Sequence, residues 1–175
     1  MKKLIGAVAL CVMIGLVGCE QGADKGMAQA EQKEAAKKIE PVVVDDGDPG
    51  FETEGDWSMG WTSADYQGGL KWTYMSSTPT AKAIWTPDLP QAGKYEVYEW
   101  HGADPHYDHA TDAPYTVNYD GGSKTVMVNQ RKNAGQWNKL GTFEFEEGTS
   151  GNVTLTNKAN GNVVADAVKF VYTGQ

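Results

Sequence analysis

From residue 42 onward the chain alternates apolar and polar positions with a period of two, and no helical period competes with it. Tyr115, Val117 and Tyr119 fall on one face, with Thr116 and Asn118 on the other. Phe143 and Phe145 alternate with Thr142 and Glu144, and Val153 and Leu155 with Thr154 and Thr156. Val42 to Val44, Ala81 to Trp85 and Lys94 to Trp100 read as further strands, the second stopped by Thr86-Pro87. Asp45-Asp46-Gly47-Asp48-Pro49-Gly50 is a turn, and Asp120-Gly121-Gly122 is a hairpin leading into Lys124 to Val128. Val164, Asp166, Val168 and Phe170 are expected to share one face of the last strand. About eight to ten short strands separated by turn residues predict an all-β sandwich. No internal repeat is present.

The segment before this region has a different character. Lys2 and Lys3 precede an apolar stretch from Leu4 to Val17, which is short for a membrane span and fits a secretory signal. It closes on Leu16-Val17-Gly18-Cys19, which resembles the lipobox of bacterial lipoproteins. That resemblance implies a signal peptide over residues 1–18, removed before Cys19, with Cys19 carrying the lipid. It therefore implies lipid anchoring in the bacterial cell envelope, with the membrane as a partner through the anchor. Glu20 stands where an Asp tends to retain such proteins in the inner membrane, which favours the outer membrane. Residues 19–41 then read as the lipidated Cys and a disordered or partly helical tether, because this Ala-, Gln-, Glu- and Lys-rich stretch has no aromatic residue with which to build a core. The domain proper is expected over 42–175.

Composition narrows the function. The chain of 175 residues carries 15 Lys and Arg against 23 Asp and Glu, for a net charge of −8, and its one arginine is Arg131. An acidic chain of this kind lacks the basic stripe that phosphate neutralisation requires, so nucleic acid is excluded as a partner. Cys11 leaves with the signal and Cys19 is lipidated, so the mature chain keeps no thiol for catalysis. There is no Gly-x-Ser-x-Gly elbow, no His-Glu-x-x-His and no phosphate-cradling glycine loop. The domain is expected to bind rather than to catalyse.

Several segments, in order, resemble the golvesin C-terminal or xanthan-lyase carbohydrate-binding-like domain. They begin with Val44-Asp45-Asp46-Gly47-Asp48-Pro49-Gly50-Phe51, Gly55-Asp56-Trp57, and Trp85-Thr86-Pro87-Asp88-Leu89-Pro90 with Gly93-Lys94-Tyr95-Glu96-Val97-Tyr98. Ala110-Thr111-Asp112-Ala113-Pro114-Tyr115-Thr116-Val117, Asn129-Gln130-Arg131 with Gln136-Trp137, and Val163-Val164-Ala165-Asp166-Ala167-Val168-Lys169-Phe170 follow. The resemblance spans residues 43–172 and implies a jelly-roll β-sandwich akin to galactose-binding modules. It departs at Asp108-His109 and Asp112, where the family pattern has Asn-Arg and Asn, and at Ala134-Gly135, where the pattern has Gly-Gly.

Three sets of side chains are candidates for chemistry. Sugar C–H faces stack on aromatic rings while polar groups take the hydroxyls. Trp57, Trp85 and Trp137 sit in motifs that read as packing. Trp61, Trp72, Tyr74 and Tyr107 lie in more polar surroundings and are the expected ring platforms, with Asp108, His109, Asp112 and Arg131 as polar partners. This predicts a glycan or polysaccharide ligand. The contrasting expectation is a structural lipoprotein that engages an envelope protein partner and has no sugar site. A third reading comes from His101, His106 and His109, whose clustering within nine residues suits a transition metal if the loop folds them inward. Finally, Asp166 on an apolar strand face needs a partner, and adjacent first and last strands would bring it beside Asp45, Asp46 or Asp48. Carboxylates gathered without a cation repel, so a structural Ca²⁺ is the expected cofactor there.

Overall fold

The computed structural model describes residues 38–175. The expected signal peptide, Cys19 and most of the expected tether lie outside the described residues. Twelve strands, numbered in chain order, form three antiparallel sheets, with no helix among the described residues. The first sheet runs β1 (Val42–Val44), β12 (Ala167–Gly174), β6 (Gly93–Trp100), β9 (Asn138–Phe145). The second runs β2 (Phe51–Glu54), β5 (Lys82–Trp85), β10 (Asn152–Thr156), β7 (Ala113–Tyr119), β8 (Gly122–Val128). The third is small: β11 (Val163–Ala165), β4 (Leu70–Thr73), β3 (Ser58–Gly60).

The alternation read from the sequence builds the core. Tyr95, Val97, Phe143, Phe145, Val168 and Phe170 of the first sheet join Ala83, Trp85, Tyr115, Val117, Val153 and Leu155 of the second in one buried cluster. Each large side chain removed from water in this way contributes about 1.5–3 kcal/mol. Trp57 packs half-buried at the cluster's margin. Trp137 does not enter it, contrary to the reading of its motif as core. It stands on the outer side of the first sheet with Trp100 and Tyr66, at centroid distances of 5.2 and 5.1 Å. Lys169 Nζ lies 4.4 Å over its ring.

The strands that sequence reading missed are β2, β3 and β4. They are three or four residues long and too polar or too exposed to show a period, and they become strands by pairing across the fold. The β7–β8 hairpin closes on Asp120-Gly121, with Tyr119 opposite Gly122 and Gly121 at φ +80°. Nothing crowds that position, so Gly121→Ala should lower stability by about 1 kcal/mol through backbone strain alone, readable as a shift in the urea midpoint.

The last strand also differs from expectation. It is interrupted at Asp166, between β11 and β12. Val163 and Ala165 face the core, and so do Val168 and Phe170, so the inward parity slips by one residue across Asp166. Asp166 sits at the slip and stays fully buried, as expected from the sequence, but beside other carboxylates.

Candidate functional site

The third sheet turns one side to the core, through Val163 and Ala165, and the other to solvent. On that outer side Val164, Leu70 and Trp72 floor a cleft of about 280 Å³. A Cβ at Gly60 would stand 3.0 Å from side-chain carbons of both Leu70 and Trp72, so a larger residue there would press on the floor. Trp61 and Thr62 form one wall. Thr62 is fixed by Asp65, which accepts from its N–H at 2.7 Å and from its hydroxyl at 2.5 Å. The other wall is the 104–109 loop, with Asp104, Tyr107 and His109, and Asn162 completes the lining. Asn162 N–H donates to the Asp108 carbonyl, and Ala110 N–H to the Asn162 carbonyl, each at 2.8 Å, which ties the loop to the sheet.

Of the expected ring platforms, Trp61, Trp72 and Tyr107 meet in this cleft. Trp61 is 69 % exposed and Tyr107 61 %, rings of a size that folding normally hides. Tyr74 lies on the far side of Trp72, edge-on at 5.1 Å, and lines a separate hollow with Ser58, Met75 and Asn157. Past Tyr107 the cleft adjoins a second, more polar cavity of about 410 Å³ whose lining includes Asp104, Asp108, His109 and Arg131. The Arg131 guanidinium pairs with Asp108, and its Nε donates to the His109 carbonyl at 2.6 Å. Asp112 belongs to neither cavity. Its carboxylate accepts from the Asn160 N–H at 2.8 Å and organises the 157–162 loop.

The three imidazoles are not brought together, and no group of His, Cys, Asp or Glu with metal spacing among the described residues includes any of them. His106 is exposed at the loop tip. His109 Nε2 accepts from the Asp104 N–H at 3.1 Å, and burial lowers its affinity for a proton. His101 is fully buried inside the fold, where its Nδ1 meets the Glu99 carboxylate at 2.9 Å and its Nε2 the Lys132 carbonyl at 3.1 Å. The buried Glu99–His101 pair was missed in the sequence. Its signal was a carboxylate and an imidazole two residues apart, continuing the inward face of Tyr95 and Val97. Gln130, also buried, donates to the Val164 carbonyl at 2.7 Å and accepts from its N–H at 3.0 Å. Its amide thereby acts as a short strand on the free edge of β11, holding the cleft floor in place.

A second site lies where β1 ends. Val44 pairs with Val168, so the next residues, Asp45 and Asp46, run on toward Asp166. Carboxylate oxygens of Asp45, Asp46 and Asp166 lie within 4.8 Å of one another. Asp166 accepts from the Tyr66 N–H at 3.2 Å, and Asp46 faces Lys71 Nζ at 3.8 Å. Asp45 Oδ1 is buried and has no partner. Burial pushes the Asp166 carboxyl up to about 8 and that of Asp45 to about 6, with the neighbouring carboxylates adding to each rise. Asp48, the third N-terminal aspartate, stands apart and accepts from the Asp45 N–H at 2.9 Å to close the turn. The donor set is all carboxylate oxygen, crowded and short of one partner, which fits a hard cation such as Ca²⁺.

The family model of the golvesin C-terminal domain matches residues 42–172. The chain belongs to this family. A xanthan lyase of Bacillus sp. (strain GL1) is 36 % identical over 146 residues, covering 78 % of this chain and 15 % of the lyase. The structure of the Paenibacillus xanthan lyase superposes with a TM-score of 0.71 at 36 % identity, over 76 % of this chain and 13 % of that one. This golvesin C-terminal domain thus corresponds to a small part of a much longer enzyme. It also shares its fold with the CBM35 of Cellvibrio japonicus Abf62, at a TM-score of 0.52 and 15 % identity, over 78 % of this chain and 95 % of the module. The jelly-roll sandwich expected from the sequence is therefore the fold of a carbohydrate-binding module.

Proposed function

We propose that this chain is a non-catalytic glycan-binding module, held in the bacterial cell envelope by a lipid on Cys19 and a tether over residues 19–41. The observation that carries the reading is the cleft on the third sheet. Two well-exposed rings, Trp61 and Tyr107, stand around a floor that includes the half-buried Trp72, and Thr62, Asp104, His109 and Asn162 offer polar partners. A sugar ring needs that combination, an apolar face to stack on and convergent groups for its hydroxyls. The likeness to a region of xanthan lyase and to a carbohydrate-binding module supports the same reading.

The test is a glycan array probed with the lipid-free domain, followed by calorimetry on the best ligand. Trp61→Ala and Tyr107→Ala should each weaken binding about tenfold or more while the melting temperature stays within a degree or two, because both rings are exposed in the free protein. Trp72→Ala should weaken binding at least as much and also cost some stability. Unchanged affinity in all three variants would remove the cleft from the binding site.

The acidic cluster is proposed to hold a structural Ca²⁺ through Asp45, Asp46 and Asp166. A bound cation would neutralise the carboxylates and tie β1 to the β11–β12 junction. The unpartnered Asp45 Oδ1 supports this assignment.

A further inference from the structure

We propose that the cleft selects uncharged glycans and turns away acidic ones, with Asp108 enforcing the choice by occupying Arg131. This rests on the glycan-binding reading above and deepens it. No lysine or arginine among the described residues lines the cleft. Its titratable members beyond Tyr107 are Asp104 and His109, whose affinity for a proton burial lowers. The adjoining cavity contains Arg131, the only arginine in the chain. That guanidinium is already committed, to Asp108 on one side and to the His109 carbonyl on the other.

The mouth therefore presents two carboxylates, Asp104 and Asp108, against one cation, on a chain whose net charge is −8. An exposed ion pair such as Asp108–Arg131 is weak as a stabiliser. Its effect here is on what the mouth offers. A uronate or sulfate would have to share Arg131 with Asp108 and still lie near Asp104, and like charges in such proximity are disfavoured.

His109 brings an unpaired ring nitrogen to the cleft. Its Nε2 accepts from the Asp104 N–H, so the neutral ring carries its proton on Nδ1. That Nδ1 has no hydrogen-bond partner, and His109 is only 7 % exposed. A buried donor without an acceptor is unfavourable, and any sugar oxygen that reached it, on a neutral or an acidic ring, would satisfy it, so His109 favours binding and not the choice between the two.

The probes are paired oligosaccharides: xylo-, gluco- and galacto-oligosaccharides, each beside the same backbone bearing uronic acid. Titration calorimetry of the folded wild type should show the acidic member of a bound pair about tenfold weaker or more at low salt, with the gap narrowing as salt screens the repulsion. Asp108→Asn, checked by its melting temperature to be folded, should free Arg131 and reduce the gap severalfold by strengthening acidic binding. An acidic sugar that binds wild type as tightly as its neutral partner overturns the selection and leaves the glycan reading intact. A gap unchanged in Asp108→Asn overturns the role of Asp108. No binding to either member of any pair overturns both readings.

Discussion

His101→Ala is expected to destabilise the domain by about 3–5 kcal/mol, the largest effect of any single substitution considered for this chain. The reason is local. Glu99 and His101 are both fully buried, and the ring bridges the carboxylate to the Lys132 carbonyl. Removing the ring takes the Nδ1 donor away from the interior Glu99 carboxylate and leaves the Lys132 carbonyl without its Nε2 partner, while the backbone bond from Gly135 N–H to the carbonyl of residue 101, at 3.0 Å, is kept. The cost arises from the orphaned charge rather than from the intrinsic worth of the pair. The double variant Glu99→Leu/His101→Leu should therefore recover a large part of the loss. Urea unfolding of the wild type, the single variant and the double variant distinguishes the two contributions. A single variant within 1 kcal/mol of wild type would mean that water or another donor satisfies Glu99, a loss well below that expected for an uncompensated buried charge.

The second large effect is on pH dependence. Asp166 and Asp45 hold their protons in the folded chain up to about 8 and about 6, whereas in the unfolded chain they lose them near pH 4. The folded state binds more protons across that window, so metal-free stability should be greatest at the acid end and fall as pH rises from about 4 to about 8. Asp166→Asn removes the buried charge. In chelator at pH 8 it should raise stability by about 2 kcal/mol and flatten the pH profile. With Ca²⁺ the order reverses. The wild type should gain about 2.7 kcal/mol at a hundredfold excess over the dissociation constant, and Asp166→Asn should gain little. Melting curves in millimolar Ca²⁺ and in EGTA, recorded across the pH range, read both effects. Identical wild-type curves in the two buffers would reject the cation and leave the protonated carboxyl cluster.

The sandwich was legible because its core strands are amphipathic at period two. Phe143 and Phe145, Val153 and Leu155, and Tyr115 and Val117 face the same core from two sheets, as their spacing implies. The third sheet was not legible, since its strands are short and acquire their identity from partners far away in sequence, such as Val164 opposite Trp72. The same holds for the cleft. Trp61, Trp72 and Tyr107 stood out as rings in polar surroundings, but that Tyr74 lies on the other side of Trp72 and Asp112 serves a loop depended on chain crossings no local pattern records. The histidines show the opposite failure. They are close in sequence, yet alternation along β6 carries His101 inward while the loop turns His106 to solvent. The slip of parity at Asp166 was invisible for a related reason, as a one-residue irregularity leaves the apolar pattern on either side unchanged.

The pairing of β1 with β12 also determines how the domain bears mechanical load. Any pull transmitted along the chain from before Pro41 reaches the fold first at β1, a strand of only three residues held by three rungs to β12. Immediately behind those rungs lie Asp45 and Asp46, facing Asp166. A divalent cation there would act as a pin at the point where peeling begins, and Asp166 belongs to the same short run of chain as Val164 in the cleft floor. Tension on the chain before Pro41 would then be carried through the acidic cluster toward the floor of the cleft. The force at which β1 detaches would rise and fall with the free calcium concentration in the surrounding solution.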